Sequence, residues 1–79
     1  MADPQYRVTV TYKYESDLAS TQDLVEADAN DEGCTYKAIY KSGGVVVETF
    51  HFPTFIRAAW FVAKLTGFDF LIAVRLYPA

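Results

Sequence analysis

Residues 34–67 read CTYKAIYKSGGVVVETFHFPTFIRAAWFVAKLTG, and they decide the fold. Two β-rich runs, Cys34 to Lys41 and Val45 to Phe52, flank Ser42-Gly43-Gly44, so they predict a hairpin. A two-residue Gly43-Gly44 turn would pair Ser42 with Val45, and Tyr36 with His51. A three-residue loop would pair Lys41 with Val45, Tyr36 with Phe50, Tyr40 with Val46 and Cys34 with Phe52. The second register gathers the aromatics on one face and leaves Lys37, Lys41, Thr49 and His51 on the other. A slip of one residue reverses every side chain, so the aromatic grouping favours the three-residue loop. In this register Glu48 points toward the core beside Ala38.

The same stretch then changes period. Pro53 and Thr54 precede a helical pattern over residues 54–66, and Gly67 stops it. At 100° per residue, Phe55, Ala59, Val62 and Thr66 share one line, which predicts the buried face. Arg57, Trp60, Phe61 and Lys64 fall opposite, which predicts two exposed aromatics between two cations.

Working outward, Tyr6 to Glu15 alternates without a fault. Tyr6, Val8, Val10, Tyr12 and Tyr14 make one face; Arg7, Thr9, Thr11, Lys13 and Glu15 make the other. Residues 70–77 read as a last strand that is apolar on nearly both sides, as a central or covered strand would be. Residues 16–33 are polar, with Leu24 as the best inward anchor. They read as an acidic loop or a short helix around 21–27. Self-repulsion and few apolar anchors make this the segment expected to be most mobile. The expected fold is α+β: one domain over 1–79, a two-layer sandwich with a four-stranded, mainly antiparallel sheet (β-β-β-α-β). One helix packs on one face, and the other face is left open.

The 79 residues are 52% hydrophobic and 16% aromatic, which excludes general disorder. The longest apolar run, Ala58 to Ala63, falls far short of the roughly 18 residues of a membrane span. The first residues lack a signal-peptide pattern, and the single Cys34 cannot form an internal disulfide, so a cytoplasmic location is expected. The net charge is −3, against generic nucleic-acid binding. Seven of the ten acids, Glu15, Asp17, Asp23, Glu26, Asp28, Asp31 and Glu32, lie in one base-free stretch. The rest of the chain is mildly basic.

Catalytic motifs are weak. Cys34 and His51 are the only candidates for a nucleophile–base pair, and the favoured register sets them on opposite faces. Asp28 to Gly33 imitates the first half of a calcium loop, but its twelfth position is Ile39 inside a strand. Zinc would need more Cys or His ligands than the chain has. No phosphate loop follows Gly43-Gly44. Glu48 is the one carboxylate aimed at an apolar face, where a tyrosine hydroxyl or Lys37 could satisfy it. The aromatics are read as core, and the open face as Arg7, Lys13, Lys37, Lys41 and His51 with Glu15. Direct nucleic-acid contact is therefore not expected. No metal or cofactor is assigned, and no enzyme activity.

The leading expectation is a non-catalytic protein-binding module. It acts through Arg57, Trp60, Phe61 and Lys64 on the helix and through the open sheet face. The partner is a second copy, giving a homodimer, or a different protein. The alternative is an acidic inhibitor that presents Asp17, Asp23, Glu26, Asp28, Asp31 and Glu32 to a nucleic-acid-binding protein. In size and acidity it resembles phage accessory proteins, anti-CRISPR inhibitors among them.

Overall fold

The computed structural model describes residues 6–13, 18–68 and 71–78. The elements run β1 (Tyr6–Lys13), α1 (Leu18–Asp31), β2 (Tyr36–Ser42), β3 (Val45–Phe52), α2 (Phe55–Leu65) and β4 (Leu71–Pro78). The sheet order is β2-β3-β1-β4, and every neighbouring pair is antiparallel. β3 lies between β1 and β2, and β1 lies between β3 and β4. Each helix thus bridges two strands separated by a third, the arrangement of ferredoxin-like folds. The α+β two-layer sandwich is as expected, but two helices cover the sheet rather than one.

The alternation of β1 holds: Val8, Val10 and Tyr12 are buried. Val46, Phe50 and Phe52 of β3 join them, with Ala58, Phe61 and Leu65 of α2 and Val25 and Ala29 of α1. Both helices therefore lie on one face, and no described element covers the other.

Four expectations are corrected. Of the two readings of the acidic stretch the helix holds, but it is longer than the short one around 21–27: residues 18–31 form a helix of 14 residues. Its buried line is Val25 and Ala29, one turn apart, continued by Glu32 beyond the last helical residue. Leu24, the expected anchor, is more than half exposed. Gly33 ends the helix at φ 74°, with Cys34 N–H donating to the Ala29 carbonyl and Gly33 N–H to that of Asn30. These two bonds make a Schellman cap, which the positive φ reserves for glycine.

The hairpin uses the two-residue turn, with Ser42 opposite Val45 and Tyr36 opposite His51. Gly43 and Gly44 have φ of 59° and 77°. Both positive values are the mark of a type I′ turn, whose twist matches that of the flanking strands. Turn geometry thus overrides the grouping of aromatics. Tyr36 and Tyr40 go to the open face, while Lys37, Ile39 and Lys41 share the helix side with Phe50, Glu48 and Val46.

The buried line of α2 is Ala58, Phe61 and Leu65, roughly a quarter turn from the expected line at 100° per residue. Phe55 and Ile56 are consequently exposed. Thr54 caps α2 as expected, its hydroxyl accepting from Arg57 N–H at 3.2 Å. Finally, β4 is an edge strand rather than a central one. A bulge beside Thr11 and Tyr12 skips Ile72, leaving it exposed and turning Leu71 inward against the core. Phe70 and Tyr14 lie outside the described residues.

Candidate functional site

The expected helix site divides in two. Phe61 is core: its ring packs edge-on against Phe50 and tilted against Phe52, both at 5.1 Å between centroids. It is fully buried and cannot meet a partner. Trp60, its neighbour, is 56% exposed. On the turn-by-turn geometry of α2, Phe55, Ala59, Ala63, Ile56 and Trp60 form one continuous outer stripe. Phe55, Ile56 and Trp60 are each more than half exposed. Phe55 is propped by Tyr6, edge-on at 5.8 Å. The sequence reading missed Phe55 and Ile56, because it placed the buried line through the former.

The two cations of α2 border this stripe on the α1 side. Lys64 Nζ lies 2.8 Å from one oxygen of Glu32, and Arg57 Nη1 lies 3.4 Å from the other. Asp31 reaches Lys64 at 3.9 Å. The Glu32 side chain is only 7% exposed. The Lys64 hydrogen bond, helped by Arg57, holds its carboxyl below the usual range, and the same bond raises Lys64. Arg57 also lies 5.8 Å from the Trp60 ring centre, within cation–π range.

The acidic surface is therefore smaller than expected. Glu32 is a buried clamp between the helices, not a presented charge. Glu26 pairs with Lys37 of β2 at 3.7 Å. Asp31 and Asp23 are exposed, and Asp28 is half-buried. Asp17 and Glu15 lie outside the described residues. The calcium-like stretch is the last turn and cap of α1.

Cys34 and His51 do not meet. The Cys34 thiol turns toward Asn30, 3.5 Å from its side-chain oxygen, and burial raises its pKa. His51 stands on the open face against Tyr36, at 4.8 Å between ring centres. Glu48 does point into the core, 1% exposed, and the Tyr12 hydroxyl donates to it. Burial pushes its carboxyl up to about 7, against the lowering effect of that hydrogen bond. It is sealed from solvent, so no substrate reaches it.

The open face is ordered in rows by the strand register. One row crosses all four strands as Tyr36, His51, Arg7 and Tyr77. The next holds Ala38, Thr49, Thr9 and Arg75, and the third Tyr40, Val47, Thr11 and Ala73. Lys37 and Lys41, expected here, are on the helix side.

No protein-family model and no curated protein matches the chain. Solved structures do. The C-terminal domain of the MgtC protein from Mycobacterium tuberculosis has a TM-score of 0.65 at 17% identity, over 99% of this chain and 89% of that one. A protein of unknown function from Nitrosomonas europaea has a TM-score of 0.67 at 15% identity, over 100% and 92%. A protein provisionally assigned as an antibiotic biosynthesis monooxygenase, from Chloroflexus aurantiacus, has a TM-score of 0.58 at 6% identity, over 95% and 92%. At these identities the likeness is one of fold alone.

Proposed function

We propose that the protein is a non-catalytic protein-binding module whose contact surface is the outer stripe of α2. The observation that carries this is the exposure of Phe55, Ile56 and Trp60 on one continuous helical face. Apolar residues exposed together on a small domain mark an interaction surface more often than scattered ones do. Aromatic and arginine anchors dominate interface energies, and Arg57 borders Trp60. The two alanines of the stripe, Ala59 and Ala63, let a partner approach the helix closely. The partner is another protein or a second copy of this chain. The acidic-inhibitor reading has less support, because Glu26, Asp31 and Glu32 already face cations of their own chain. A cytoplasmic setting belongs to the same proposal and rests on the single thiol. Among the described residues, no helix is long and apolar enough to cross a membrane.

Trp60 is the only tryptophan, so its emission reports this surface directly. In free protein it should be red-shifted and quenched by acrylamide, and partner binding should shift it to the blue. Trp60→Ala should weaken association by about 2 kcal/mol with little change in melting temperature. Comparative pull-downs and sedimentation of wild type and variant measure both forms of association. An unquenchable, blue emission from dilute monomer would overturn the reading.

A further inference from the structure

The register correction changes what the open face of the sheet is made of. It brings Tyr36 and Tyr40 onto that face and sends Lys37 and Lys41 to the helix side. Tyr40 is 68% exposed. Tyr77 is already there, with the Arg7 guanidinium stacked 4.2 Å above its ring. The Tyr77 hydroxyl shares a 2.9 Å hydrogen bond with Thr9, which holds this stacked pair in place. Among the described residues the face carries Arg7, Lys13 and Arg75 and no carboxylate. The described acids lie elsewhere, on or just beyond α1 and inside the core at Glu48. A net charge of −3 therefore conceals a basic, aromatic sheet face.

We propose that this face binds single-stranded nucleic acid. Bases stack on Tyr36, Tyr40 and the Arg7–Tyr77 pair, and Arg75 and Lys13 contact phosphates. Four strands spaced by about 4.8 Å give a platform about 14 Å across, room for two or three splayed bases. Stacking accepts any base, since every base has a π-face, so no sequence motif is needed. A duplex hides those faces. A second copy fits less well, because face-to-face packing would bring the cations of both copies together with no carboxylate among the described residues of the face to pair them.

Fluorescence anisotropy with labelled oligo-dT and oligo-U of about twelve nucleotides tests this on the whole chain. Binding is expected at low salt, with a log–log salt slope of about −1.4 for two phosphate contacts. Tyr40→Ala or Tyr36→Ala should weaken it at least about fivefold. Arg75→Ala should reduce the slope by about 0.7. Trp60→Ala should leave it unchanged, which separates this face from the α2 surface. Circular dichroism melts confirm that the variants fold. The proposal fails if no single strand binds up to about 100 μM protein, or if a duplex of equal length binds equally well. It also fails if both tyrosine variants bind like wild type, or if sedimentation reveals a dimer that Tyr40→Ala dissolves.

Discussion

Glu48 lies between Val10 of β1 and Ile39 of β2, and the Tyr12 hydroxyl is its hydrogen-bond donor. The charges around it oppose one another: Glu26 of α1 raises its pKa further, while Lys37 and Lys41 of β2 lower it. Burial is the largest effect and takes the carboxyl from 4.5 to about 7. The folded protein therefore keeps a proton that the unfolded chain gives up as pH rises past about 4.5. Over that interval the unfolded state binds fewer protons, so stability falls with rising pH. The penalty is absent below about pH 4.5 and complete above about pH 7, where it amounts to about 3 kcal/mol. Glu48→Gln keeps an oxygen to accept from Tyr12 and removes the titration. It should stabilise the protein at pH 8, leave it nearly unchanged at pH 4, and flatten the profile between. Urea denaturation at these pH values measures the difference. A variant with the same pH profile as wild type would mean that Glu48 is ionised in the folded state.

At the scale of elements, α1 is held by few apolar groups and one ionic clamp. Val25 and Ala29 are fully buried, and Glu32 reaches Lys64 and Arg57 just past the helix end. Glu32→Gln removes the charge that both cations face. It should lower the melting temperature by several degrees at low salt, and by less in high salt, where the wild-type ion pairs are screened. Amide exchange should be slow through Val25 to Ala29 in wild type and faster in the variant. The hairpin offers a second test. Gly44 at φ 77° meets no steric obstacle to a side chain, so the backbone alone resists substitution there. Gly44→Ala should cost about 1 kcal/mol. Gly43→Asn should be nearly neutral, because asparagine tolerates positive φ in the first position of this turn. Thermal melts of the two variants compare them. The three-residue form needs positive φ at Gly44 alone, so a harmless Gly43→Ala beside a costly Gly44→Ala would mark that form instead.

For the whole molecule, the two proposed surfaces lie on opposite sides: the α2 stripe on the helical layer and the tyrosine rows on the bare sheet. Occupying one should not block the other, so anisotropy of oligo-U should be the same with and without a partner on α2. Local sequence determined much of this architecture. The alternation of Tyr6 to Lys13, the strands around Gly43-Gly44, the Thr54 cap and the inward Glu48 were all legible, because each is set by a period of 2 or 3.6 residues or by one turn. The exposure of Trp60 was legible too, since it neighbours the cations Arg57 and Lys64. Helix α1 was legible only as a short helix around 21–27, because its buried line is completed by Glu32, an acid that can be buried only when Arg57 and Lys64 arrive from another element. The rotation of α2 was not legible, since a line through Phe55 and one through Phe61 are equally helical and only Phe50 and Phe52 choose between them. Register and strand order were also decided in three dimensions. A one-residue slip preserves every local alternation, and the twist of a Gly-Gly turn then settles which face Tyr36 and Tyr40 share.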